Sequence, residues 1–148
     1  MKEHLIVVPG QPKGKGRPRF TTASGYPRTY TPPVTQRYEE HIKACFLEQV
    51  TDPVDKALVQ TVHVIAFYQI PSSETKRRKQ LMREGKIRPT VKPDLDNVVK
   101  VVLDALNGVA FEDDKQIVHI NSSKFYSDTP KLSILLVENE DMMEGDQR

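Results

Sequence analysis

Between Lys92 and Ile117 the chain reads KPDLDNVVKVVLDALNGVAFEDDKQI, which sets Asp94, Asp96, Asp104, Asp113 and Asp114 among long apolar runs with Lys100 in their midst. Carboxylates interleaved with core-forming residues cannot all reach open solvent, so some must sit at the edge of a packed element. Like charges held together are unfavourable unless a proton, a base or a cation relieves them. A hard divalent cation with oxygen ligands is the usual remedy. Asp94 and Asp96 at a helix start, meeting Asp113 or Asp114 from the loop before the next strand, would offer such an ion an oxygen-rich site. An ion so held activates water and neutralises charge developing on a phosphodiester. Lys100, one turn beyond Asp96 and expected to be buried, is placed to orient the carboxylates or stabilise a phosphate. The bland alternative gives each acid an ordinary duty. Asp94 caps or opens a helix, Asp96–Lys100 and Lys100–Asp104 are i, i+4 pairs, and Asp113-Asp114 is a turn. That account suits each acid singly but leaves their gathering around one helix unexplained.

The elements that must position these residues follow from periodicity. Leu95, Val98, Val99, Val102 and Leu106 recur at helical spacing, and Asp96, Lys100 and Asp104 fall on another face. This outweighs the strand propensity of VVKVVL, and Gly108 marks the stop, so a helix is expected over Asp94–Asn107. A first strand is expected at Leu5–Val8. Short extended pieces at Arg19–Thr22 and Arg28–Tyr30 would be turned by Ser24-Gly25. A helix is expected from Pro33 to about Val50, capped by Thr31 or Thr35, with His41 and Cys45 as packing residues. Ala57–Ile70 alternates as a long strand with Val62, Val64, Ala66 and Tyr68 on one face. Ser72–Glu84 reads as a short basic helix capped by Ser72 or Ser73, with Gly85 past its end. Ile117–Tyr126 and Lys131–Val137 read as two strands joined by the turn SDTP.

The net charge of +2 hides an asymmetry. Residues 138–148 carry five acids against Arg148, so removing that −4 leaves +6 on the body. Residues 10–30 hold Lys13, Lys15, Arg17, Arg19 and Arg28 with no acid, and residues 76–92 hold Lys76, Arg77, Arg78, Lys79, Arg83, Lys86, Arg88 and Lys92 against Glu84 alone. One basic run is more often a solvated loop. Two beside an acidic cluster suit a nucleic-acid backbone, with counterion release driving affinity. The glycines of Lys13-Gly14-Lys15-Gly16 would let the backbone approach a phosphate closely. Phe20 either packs or stacks on an unpaired base, packing being the plainer choice.

Several classes are excluded. The G-x-x-x-G-K-G spacing around Gly10 and Gly14 fails the nucleotide-binding P-loop, so no nucleotide cofactor is expected. Four histidines without ligand spacing and a lone Cys45 argue against zinc and rule out an internal disulfide. No apolar run approaches a membrane span, and the N-terminus is too short in apolar residues for a signal peptide. A cytoplasmic protein is the resulting expectation.

The stretch Asp94-Leu95-Asp96-Asn97, Lys100, Asp104-Ala105-Leu106 and Asp113-Asp114 before Gln116-Ile117 resembles the RusA family of Holliday junction resolvases, cellular and prophage-type endonucleases. The specific part is residues 92–117, and the flanking elements agree in outline. The resemblance implies a small mixed α/β (α+β) fold, a mixed β-sheet packed with helices, in one domain over 1–137; charge and the lack of periodicity make 138–148 an acidic, flexible tail. The resemblance also implies a homodimer that cuts four-way and other branched DNA in recombination and repair by paired nicks, with Mg²⁺, or Mn²⁺ in its place. It places the family's essential aspartates on Asp94, Asp96 and Asp114 and its lysine on Lys100, while the spacing alone adds Asp113 as a further candidate metal ligand. Lys13, Lys15, Arg17, Arg19, Lys76, Arg77, Arg78 and Lys79 are then the expected DNA contacts. The basic loop looks more like phage or Gram-positive branches than the enterobacterial members, which leaves room for a nuclease preferring flaps or forks. A catalytically silent nucleic-acid-binding module, in which the aspartates only cap and pair, is the competing class.

Overall fold

Apolar residues at alternate positions line one face of most strands of a four-stranded sheet, and two amphipathic helices cover that face. The computed structural model describes residues 2–139. In chain order the elements are β1 (Lys2–Pro9), β2 (Arg19–Thr21), β3 (Arg28–Tyr30), α1 (Pro33–Gln49), β4 (Val59–Gln69), α2 (Lys76–Arg83), α3 (Leu95–Leu106), β5 (His119–Ser127) and β6 (Lys131–Glu138). The main sheet has the order β1-β6-β4-β5, and β2 pairs with β3 as a separate hairpin. β6 is antiparallel to both β1 and β4, whereas β5 runs parallel to β4. The result is a single-domain α+β fold with a mixed sheet, as expected.

Alternation decides which face is covered. Ile6 and Val8 of β1, Val62, Val64, Ala66 and Tyr68 of β4, and Leu132, Ile134 and Leu136 of β6 are all buried. They meet Tyr38, Ile42, Cys45 and Phe46 of α1 and Val98, Val101, Val102, Ala105 and Leu106 of α3 in one core. On the opposite face Phe67 and Phe125 stack with centroids 6.0 Å apart, and the Arg88 guanidinium lies 4.0 Å above the Phe125 ring.

Several details depart from expectation. β5 and β6 are joined by a short turn, yet they do not pair with each other; β4 lies between them. The turn passes the end of β4, where the Ile70 amide donates to the Ser127 carbonyl at 3.1 Å. α2 begins at Lys76 rather than Ser72, because the Thr75 hydroxyl accepts the Arg78 amide and caps it there. At α1 neither threonine caps: Pro32 holds the cap position with no side-chain bond. His41 is exposed and bonds the Pro9 carbonyl instead of packing in the core. Glu138, assigned by charge to the tail, ends β6, is buried and pairs with buried His4. Residues 140–148 of that tail lie outside the described residues.

The covered face makes a direct test. Leu106 has no exposure, so Leu106→Ala should lower the unfolding free energy by about 2–5 kcal/mol. Lys100→Ala, on the exposed side of the same helix, should stay within about 0.5 kcal/mol. Urea denaturation measures both, and equal effects would misplace the buried stripe.

Candidate active site

α3 begins where the loop after α2 is tied to the sheet. The Tyr68 hydroxyl donates to the Pro93 carbonyl at 2.6 Å. Burial, and then the neighbouring Asp94 carboxylate, push this phenol up to about 12, so it stays a donor at ordinary pH. Lys124 of β5 donates to the Val91 carbonyl at 2.7 Å and lies 4.9 Å from the Tyr68 ring centroid. These contacts fix Asp94 at the N-cap position. Its carboxylate nevertheless makes no capping bond and is exposed, so the capping role does not account for it. Asp96 sits in the first turn, with one oxygen accepting the Asn97 amide at 3.0 Å. Lys100 follows on the same side. It was expected to be buried, but its side chain is 62% exposed and only loosely paired with Asp104 at 3.7 Å, because the core stripe turns away from it.

The basic loop before β2 is laid directly on this helix start. The Lys15 amide donates to the Asn97 carbonyl at 2.9 Å, and the Gly16 amide to the buried Thr35 hydroxyl at 3.0 Å. A Cβ on Gly14 would stand 2.9 Å from the Pro93 Cβ and 3.0 Å from the Asn97 Cβ, and one on Gly16 would stand 2.7 Å from the Thr35 hydroxyl. The glycines therefore serve loop-to-helix approach, where a phosphate was expected. Lys15 lines a cleft beside Asp94 and also has carboxylate partners of its own. Its ammonium joins Glu39 of α1 at 3.2 Å to Asp104 of α3 at 3.1 Å. Partial burial opposes its charge, but bonds to Asp104 and Glu39 prevail and raise its pKa above the ordinary lysine value. What remains open is this cleft of about 440 Å³, whose lining also includes Lys13, Arg17, Lys92, Asp94 and Asn97. With Lys15, whose charge is already paired, four cations thus line the cleft beside the exposed Asp94 carboxylate at a helix N-terminus, an arrangement that attracts a phosphate.

Asp113 and Asp114 lie beyond the other end of α3. The Asp113 carboxylate accepts the Lys115 amide at 3.0 Å, and its own amide donates to the Gln116 side chain, capping the 3-10 turn Asp114–Gln116. The Lys115 amide is the main cause holding Asp113 below the usual carboxylate range. Gln116 then bonds the Lys56 and Val59 carbonyls at 2.6 and 2.8 Å, which anchors the turn at the start of β4. Asp114 is the member of the pair without the capping duty.

The two carboxylate groups are thus separated by the 12 residues of α3, roughly 18 Å of helix. Among the described residues no three His, Cys, Asp or Glu side chains come together so as to hold a metal ion. This corrects the expectation that one chain folds Asp94, Asp96, Asp113 and Asp114 into a single pocket. The donors are all carboxylate oxygens, which suit a hard divalent cation, but the chain carries them as two separate groups.

The other basic residues are placed as follows. Arg19 is exposed on the β2–β3 hairpin, Lys76 and Arg77 are exposed on α2, and Lys79 is half-buried there. Arg78 is exposed but pairs with Glu74. Both basic segments leave the same end of the sheet, where the Gly10 amide meets the Pro130 carbonyl and the Gln69 amide meets the Gln11 side chain. Sequence reasoning did not single out Tyr68 or Lys92 for the site, and it gave Gly14 to a phosphate where the structure gives it contact with α3. Only Lys92 carried a local signal, being the last cation of the basic run next to Asp94.

The model of the family described as Endodeoxyribonuclease RusA matches residues 9–136. A relative in Bacillus subtilis (strain 168), named Uncharacterized protein YqaN, is 32% identical over 135 residues, covering 90% of this chain and 94% of that protein. No described helix is long and apolar enough to cross a membrane.

Gly14→Ala tests how the loop is seated. It should lift the loop from α3 and raise exchange of the Lys15 amide about tenfold or more, with β4 amides unchanged, as read by hydrogen-exchange NMR. Unaltered Lys15 protection would mean that other contacts hold the loop.

Proposed function

The chain belongs to the RusA family of endodeoxyribonucleases, and on that premise we propose that it is a divalent-metal-dependent nuclease of branched DNA, resolving four-way junctions as a two-fold dimer. The observation that carries this reading is the division of the carboxylates between the two ends of α3, with the cation-lined cleft at one of them. A two-fold axis across the middle of the helix sets the start of one α3 beside the end of the other. Asp94 and Asp96 of one protomer would then join Asp114 of its partner, giving two equivalent sites. The edge of the molecule beside α3 supports such a contact. β5 is an edge strand, Val118 and Ile120 are 60% and 42% exposed, and Val99, Leu103 and Ile117 are only partly buried. An open strand edge with apolar neighbours is a natural pairing surface.

Asp94, Asp96 and Asp114 would hold Mg²⁺ or Mn²⁺, which when bound activates water and offsets charge on the phosphodiester. Lys13, Arg17 and Lys92 hold the strand against the cleft by its phosphates. Lys100, exposed one turn from Asp96, orients the carboxylates or meets the phosphate. The cations of α2 add backbone contacts that position the DNA without reading sequence. Two equivalent sites suit a junction, in which two strands must be cut.

Asp96→Asn and Asp114→Asn should each bind junctions normally and cleave none. Mixing the two variants restores one intact site per mixed dimer if the site is shared, so single nicks should reappear without paired cleavage. A mixture as inactive as its components would rule out the shared site. Reversing charge at Lys76 and Arg77 should weaken binding and flatten its dependence on salt by roughly one unit per lost phosphate contact. An unchanged slope would remove α2 from the DNA surface.

A further inference from the structure

The hairpin formed by β2 and β3 carries side chains that neither the core nor the cleft uses. Phe20 is 65% exposed, Tyr26 76% and Tyr30 41%, and the stretch from Gly10 to Tyr30 has no acid. Phe20 thus does not pack, which was the plainer expectation for it. Single exposed apolar residues are ordinary on a protein surface, but the register gives these an order. Arg19 lies opposite Tyr30 and Thr21 opposite Arg28 on one face, while Phe20 lies opposite Thr29 on the other. Directly opposed residues hold their side chains about 5 Å apart, so one face presents two guanidiniums beside a phenol ring and the other a bare phenyl ring. The arm is continuous with the cleft. Arg17 lines both the cleft beside Asp94 and a second hollow of about 500 Å³ that reaches Pro18 and Arg19 at the root of the arm.

We propose that the β2–β3 hairpin recognises unstacked bases at a DNA branch point, with Arg19 and Arg28 on the backbone and Phe20 and Tyr30 stacking on the bases. Charge selects the occupant: an arm rich in arginine and free of acids suits a polyanion, and exposed rings gain most from bases that have lost their own stacking partners. Intact duplex offers no such faces. The arm would therefore supply selectivity for branched over linear DNA, while the cleft it leads into supplies chemistry. This rests on the nucleic-acid reading above, but not on metal-dependent cleavage.

The chain has no tryptophan, so Phe20→Trp introduces a single indole. In EDTA its emission should be quenched by an immobile four-way junction and stay nearly unchanged with linear duplex of equal length. Phe20→Ala and Tyr30→Ala should each lower junction affinity about tenfold, with duplex affinity kept within about twofold, and Phe20→Tyr should restore most of the loss. Equal losses on both DNAs, no loss on either, or no binding of wild-type protein to DNA would overturn the proposal. Normal junction cleavage in Mg²⁺ by Phe20→Ala with unchanged affinity would overturn the arm alone. Branch-selective quenching by a wild-type background that cuts nothing would retain the arm and reject the nuclease.

Discussion

Burial of one face of α3 is the constraint from which the rest of the site follows. Val98, Val101, Val102 and Leu106 have no solvent exposure and Ala105 almost none. Each large side chain so buried stabilises the fold by about 1.5–3 kcal/mol relative to exposure. The helix therefore cannot rotate, shift or unwind to bring its ends together without losing several such terms at once. Asp94 and Asp96 are held at one end, and the turn carrying Asp113 and Asp114 is pinned at the other by Gln116 on the start of β4. A packed helix is a rigid spacer, and this one keeps the acids apart within a chain. The mutual repulsion that five clustered carboxylates would suffer is relieved by distance within the chain.

The basic loop shows how charge can serve two purposes within five residues. Lys13, Lys15 and Arg17 all line the cleft, but Lys15 also bridges Glu39 and Asp104 with a side chain only 16% exposed. A fully exposed ion pair contributes little, but this lysine meets two carboxylates from two helices and is partly shielded from water. It fastens the loop to α1 and α3 and so keeps its neighbours pointed at Asp94. Gly14 and Gly16 make that contact possible because nothing larger fits against Pro93, Asn97 and Thr35.

Local patterns in the sequence carried the elements well, since both the alternation of β4 and the helical spacing after Pro93 are imposed by the same burial that the fold satisfies. The α3 stripe itself was read slightly off axis. Val101 and Ala105 are fully buried where Leu95 and Val99 were expected, because α1 and β5 together cover the helix from a direction that no single-helix pattern encodes. Long-range facts were not legible. Nothing in SDTP says that β4 will lie between the strands it joins, and nothing around Lys15 names partners on two distant helices. Glu138 reads as the first acid of a tail until His4, at the far end of the chain, is seen beside it.

The same limit explains why one pocket was expected from a sequence that places its acids at two ends of a helix. Spacing along a chain reports which residues a fold can bring near each other, but not whether one copy or two must do so. A D-x-D motif and a D-D pair separated by an amphipathic helix are compatible with a helix that turns back and with one that stays straight. The buried stripe selects the straight one. In a two-fold arrangement that straightness becomes useful, because the distance separating the acids within a chain is the distance over which two antiparallel helices bring them together. On the proposed two-fold reading, chemistry would be available only to the assembled pair, whose two cation-lined clefts and two exposed hairpins would be related by one axis. A lone protomer would retain affinity for nucleic acid through its basic segments while lacking a complete set of carboxylates, so that binding and cutting are separated by an association step rather than by a change of conformation.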